Sequence, residues 1–153
     1  MYPEPLNDLI DLFEHLPEQE RRENLIVMSD SAAKCEPKEG AQFDLEDVRK
    51  DEECTDTVGI FLRVDEGDRA HFAVTLGPKV QTLTKAMTSI LCRGLNGAKL
   101  QDVLEVPADF VPRIIGAELV RLRSQTVYYV LSRMKTAVRM FMDRRRAAAS
   151  AAA

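Results

Sequence analysis

The sequence predicts an α+β fold: a small antiparallel sheet with helices packed on one face. Three observations lead there. Apolar residues alternate at Val58, Ile60, Leu62 and Val64, then again at Ala70, Phe72, Val74 and Leu76, with "DEGD" between them. That is a hairpin with one apolar face. Stripes of helical period lie both before and after it. A lone two-stranded ribbon is marginal in water, so its apolar face must lean on those helices.

Taken in order, "PLNDLIDLFEHLP" carries apolar residues at 6, 9, 10, 12, 13 and 16, the spacing of a helix face. Pro17 ends that helix and opens a second, "PEQERRENLIVMSDSA". Residues 31–53 lose periodicity and gather charge, so they read as an exposed loop with a short edge strand near Phe43–Val48. After the hairpin, "GPKVQTLTKAMTSILCRGLNG" is predicted to start a helix near Pro78 and end it at Gly94, burying Val80, Leu83, Met87, Ile90 and Leu91. A short helix, "AKLQDVLEV", stops at Pro107, and "ADFVPRIIGA" breaks around Pro112. The last helix spans about Ser124 to Arg146, burying Val127, Val130, Leu131, Met134, Val138 and Phe141. A single domain over residues 1–146 is expected, with the low-complexity tail 147–153 disordered.

At 153 residues, 45% hydrophobic and 30% charged, the chain has the profile of one ordinary globular domain. No run approaches the ~18 apolar residues of a membrane span, and the N-terminus lacks the pattern of a secretory signal. Three cysteines at irregular spacing argue for a reducing compartment, so cytoplasm is the expected location. The net charge of −4 conceals an asymmetry: residues 1–56 hold 17 acids and 6 bases, whereas residues 113–146 hold 2 acids and 9 bases. The basic half has neither an RNA-binding signature nor zinc-finger spacing, so no nucleic-acid partner is expected.

Catalytic motifs are missing. There is no P-loop, GxGxxG, GxSxG or HExxH, and neither His15 nor His71 has a partner at ligand spacing. Without a CxxC pair, a structural zinc site has no ligand set and no metal is expected. Cys92 flanks an apolar stripe and reads as core filler; Cys35 reads as a loop thiol without a role. Cys54 stands where the charged loop meets the strand. Asp51, Glu52, Glu53 and Asp56 disfavour its thiolate, and its position alone leaves an idle and a functional thiol equally open. Arg123 extends the stripe of Val127, Val130 and Met134 toward the N-terminus, at a helix start where anions are favoured. A guanidinium there calls for an anionic partner: a thiolate or persulfide, or a nearby carboxylate.

With these pieces in place, the chain resembles the SufE family of sulfur acceptors. The similarity runs over about residues 6–142 and rests on "EECTDTVGI" (52–60), "GAKLQDVLEVPADFV" (97–111) and "LVRLRSQTVYYVLSRMK" (119–135). "QDVLEVPADFV" is the most specific stretch. The register it sets places Cys54 on the family's acceptor cysteine and Arg123 on its arginine. Glu53 and Thr55 replace the flanking glycine and glutamine, and Val120-Arg121 replaces a Ser-Pro.

The resemblance implies a non-enzymatic carrier that accepts sulfane sulfur from a cysteine desulfurase as a persulfide on Cys54. It would stimulate that desulfurase and deliver sulfur to an iron–sulfur cluster scaffold, as a monomer or homodimer. Pyridoxal phosphate would belong to the desulfurase, leaving this chain without a cofactor. Two other readings stand beside it. One is an IscU-like cluster scaffold, which needs about three or four converging ligands. The other is a non-chemical adaptor docking through its acidic half.

Overall fold

The computed structural model describes residues 1–50 and 56–152. Helix α1 (Glu4–Glu14) is followed by α2 (Glu18–Asp30) and a 3-10 turn at Ser31–Cys35. Strands β1 (Leu45–Lys50), β2 (Thr57–Val64) and β3 (Ala70–Leu76) come next. Helices α3 (Thr82–Leu95) and α4 (Leu100–Glu105), a 3-10 turn at Ala108–Phe110, α5 (Val111–Ile115), α6 (Ala117–Leu122) and α7 (Ser124–Ala152) complete the order. The fold is α+β, with helices packed around a three-stranded antiparallel sheet.

The sheet order is β1-β2-β3, both pairings antiparallel. Val58, Ile60, Leu62, Ala70 and Val74 are wholly buried on its core face, as the alternation predicts. Asp65 forms the hairpin turn, accepting hydrogen bonds from the Gly67 and Arg69 amides at 2.9 and 3.0 Å. Asp68 takes a positive φ of 60° at the tip, a conformation aspartate tolerates. Arg145 of α7 grips its carboxylate through both terminal nitrogens, at 2.6 and 3.2 Å.

Helix α3 is the central helix, touching α1, α2, α7 and β3. From α1, Leu6, Leu9, Ile10 and Phe13 turn inward at helical spacing. Burying each such side chain contributes roughly 1.5–3 kcal/mol. Gly94 does not end α3 as expected. It lies within the helix, where a Cβ would meet Leu6 at 2.9 Å, so its bareness lets α1 approach.

Other expectations are corrected too. The segment read as an exposed loop holds the Ser31–Cys35 turn, and β1 begins two residues later than predicted, at Leu45. Pro78 sits in a turn closed by the Val80 amide on the Gly77 carbonyl, and α3 starts only at Thr82. Phe141 is only partly buried, whereas the other five predicted residues of α7 are buried. Residues 147–152, expected to be disordered, continue α7 as an exposed helix. Alanine has the highest helix propensity, and extending a formed helix needs no new nucleus.

Candidate functional site

Cys54 lies outside the described residues, as do its acidic neighbours Asp51, Glu52 and Glu53. Its surroundings are defined by the residues on either side, of which Asp56 is the nearest described one. The Asp56 carboxylate accepts hydrogen bonds from the amides of Thr57, at 2.7 Å, and Lys79, at 2.6 Å. These two donors, the Lys79 amide first, hold its pKa below the ordinary aspartate value. The chain therefore reaches β2 through a fixed, ionised carboxylate docked on the loop that follows β3.

That loop continues to Gln81, whose side-chain oxygen accepts from the Thr126 hydroxyl at 3.4 Å. A run of contacts thus links Asp56 to the first turn of α7, at the end where Arg123 sits. Arg123 caps α6 with its amide on the Leu119 carbonyl and accepts the Val127 amide with its own carbonyl, at 2.8 and 3.0 Å. Its backbone, at φ −133° and ψ 34°, leaves the helical phase. The side chain is therefore exposed rather than on the inward stripe. Arg123 forms no ion pair among the described residues, so nothing there supplies the carboxylate considered for it.

Another arginine, on α7, lies beneath the sheet. Arg133 is 2% exposed. One terminal nitrogen donates to the Asp47 and Val58 carbonyls at 2.7 and 2.9 Å, and the other donates to the Tyr129 hydroxyl at 2.7 Å. Its Nε faces the Asp47 carboxylate at 3.4 Å but out of line for a hydrogen bond. Arg133 thus ties β1 to β2 close to where each strand meets residues 51–55.

A model of the SufE family, described as an Fe-S metabolism associated domain, matches residues 7–138. The chain belongs to the SufE family. Cys54 and Arg123 both lie inside the matched span. Among solved structures, this SufE-family chain is similar to a hypothetical protein from Thermus thermophilus, solved in solution. The TM-score is 0.68 at 26% identity, covering 94% of this chain and 99% of that one. The N-terminal part of a nitrogen-fixing NifU-like protein from Brucella abortus matches at TM-score 0.53 and 16% identity. It covers 78% of this chain and 92% of that one, and shares the fold alone. No curated protein matches the chain.

The two histidines of this SufE-family chain have local partners. His15 bonds through Nδ1 to the Asp11 carbonyl, and His71 through Nε2 to Asp65, each at 2.8 Å. Among the described residues no three His, Cys, Asp or Glu side chains converge as a metal site. No helix among them is long and apolar enough to cross a membrane. Sequence reasoning missed Arg133, which flanks the α7 stripe next to Met134 and reads as solvated. It also missed that the Cys35 and Cys92 side chains come together.

Proposed function

We propose that this chain is a sulfur acceptor of iron–sulfur metabolism that carries sulfane sulfur as a persulfide on Cys54. Family membership gives the metabolic setting. The observation that carries the reading is the anchor at Asp56: two residues after Cys54, its carboxylate is held by two backbone amides, those of Thr57 and Lys79. A thiol so near a fixed point can be presented to a partner in a defined direction. Arg123, exposed and without an ion pair among the described residues, is the cation offered to the thiolate or persulfide.

In the transfer step, the Cys54 thiolate attacks the terminal sulfur of a persulfide on the desulfurase. The donor's sulfur–sulfur bond breaks, and the donor cysteine leaves as a thiolate with the electron pair. The new bond makes the Cys54 persulfide, with no net oxidation. Relieving the desulfurase of its sulfur frees it for another cycle, which is how the chain stimulates turnover. Delivery to a scaffold repeats the exchange with Cys54 as donor.

Mass spectrometry after incubation with a cysteine desulfurase and cysteine tests the reading. One sulfur atom should be added, and the addition should vanish in Cys54→Ser while persisting in Cys35→Ser. A persulfide retained in Cys54→Ser overturns the assignment. A visible absorption band after loading with iron and sulfide would instead favour a scaffold.

A further inference from the structure

At the opposite end of the sheet from Asp56, a cleft of about 820 Å³ opens between the Ser31–Cys35 turn, the ends of β2 and β3 that meet at the hairpin, and α3. Its volume falls in the range of small-molecule sites, about 300–1,000 Å³. Lys34, Lys38, Arg63 and Arg93 line it, with Glu36 the single acid among the described residues of its wall. Cys35 and Cys92 are both in that wall. Cys35 is half-buried, at the end of its turn, and Cys92 is 4% exposed within α3. The length of β2 separates this cleft from Asp56, about 20 Å at ~3.4 Å per residue.

We propose that Cys35 and Cys92 form a second reactive site, a dithiol that reduces small disulfides bearing carboxylate groups, held in the basic cleft. Nothing in the sulfur-acceptor reading requires it.

The two thiols differ in the way a nucleophile and a resolving thiol must. Interaction with the neighbouring Cys92 thiol, opposed by burial, holds the Cys35 pKa below that of an ordinary cysteine. Ser89 also faces Cys35, but its hydroxyl proton goes to the Met28 carbonyl at 2.5 Å, so Cys92 is the principal influence on that thiol. Facing Cys35, and buried, Cys92 is pushed well above the ordinary range. Four cations around the cleft attract a carboxylated ligand. Cys35 is the accessible thiol and attacks first.

The exchange balances. The Cys35 thiolate attacks one sulfur of the bound disulfide, whose sulfur–sulfur bond breaks, and a small thiolate leaves with the electron pair. Cys92 loses its proton to that thiolate and attacks the Cys35 sulfur, releasing the second small thiol. Two cysteine thiols are oxidised to one disulfide, and one small disulfide is reduced to two thiols. Each chain delivers one equivalent.

The test uses the full chain carrying Cys54→Ser, which removes the sulfur-acceptor thiol and keeps the two proposals separate. Dithiodiglycolate, with two carboxylates, is compared with bis(2-hydroxyethyl) disulfide, which is neutral. Intact mass and peptide mapping should show a Cys35–Cys92 disulfide, formed about tenfold or more faster with the anionic probe at low salt. Lys38→Glu with Arg63→Glu should erase that preference, and Cys35→Ser should abolish reaction. Cys92→Ser should stop at a mixed disulfide on Cys35. The peptide map of the Cys54→Ser chain decides the pairing even without this buried variant. Thiols left reduced by both probes, or equal rates with the two, overturn the proposal.

Discussion

The carboxylate of Asp56 fills the space that a side chain on Gly77 would need: a Cβ built there would lie 2.2 Å from the Asp56 carboxyl carbon. Only a bare backbone lets this aspartate reach the Thr57 and Lys79 amides together. Gly77→Ala should therefore expel the carboxylate, at a cost of about 1–3 kcal/mol if the site overpacks. Urea unfolding gives the stability change. Persulfide yield should fall with it, and an unchanged yield would separate the anchor from the function of Cys54.

Acid should undo the same anchor. Hydrogen bonds depress the Asp56 pKa, and Asp65 and Asp68 are depressed too, through His71 and Arg145 first. A carboxyl whose folded pKa lies below its unfolded value adds stability above the unfolded value, near pH 4, and loses it as pH falls through the folded one. Urea midpoints should be level from pH 7 to 5 and drop steeply below about pH 4. Asp56→Asn should shrink that drop. An equal drop in the variant would assign the acid sensitivity elsewhere.

Arg133→Met should be among the more costly substitutions in the protein. It strands the buried Val58 carbonyl and the half-buried Asp47 carbonyl, with roughly 1–3 kcal/mol at stake for a fully buried unsatisfied group. Lysine should not rescue it, since a single ammonium cannot reproduce a planar fork that bonds two strands and Tyr129. Chemical denaturation of both variants checks this, and a stability loss below about 1 kcal/mol would contradict the buried bonds.

Arg123 calls for the opposite result. Being exposed, Arg123→Ala should leave the unfolding midpoint nearly unchanged, within about 0.5 kcal/mol. Persulfide yield from a desulfurase should nonetheless drop, and Arg123→Lys should restore it in part. A wild-type yield in the alanine variant would remove Arg123 from the transfer step.

Residues 36–56 hold nine acids, and such a patch chiefly sets association rate. Binding to a desulfurase should weaken with salt, since exposed charges are screened beyond about 8–10 Å. Glu52→Lys with Glu53→Lys should slow association in stopped flow. Unchanged kinetics would place the docking surface elsewhere.

The hairpin was legible because Val58 to Val64 and Ala70 to Leu76 alternate cleanly over one buried face. Strand β1 was less so: of its six residues only Leu45 is buried, so pairing with β2, not its own pattern, makes it a strand. Pro78 and Gly94 misled for related reasons. Each matches a helix-boundary rule, but the first serves a turn beneath Asp56 and the second serves helix contact. The site divided in the same way. Cys54 and Arg123 could be singled out by position and family motif. The meetings of Asp56 with Gly77, Cys35 with Cys92, and Arg133 with two strands join residues far apart in the chain. No local spacing records them, because tertiary packing creates them.

Arg133 also has a bearing on the order of assembly. Both strand pairings join neighbours along the chain, so they close over short loops. The bonds from Arg133 to Val58 and Asp47 span 75 and 86 residues. Long closures cost more chain entropy and tend to come late in folding. The sheet therefore forms before the strap across β1 and β2 is fastened. Loss of Arg133 should then leave the refolding rate nearly intact and hasten unfolding, so the strap sets how long the folded chain lasts rather than how fast it forms.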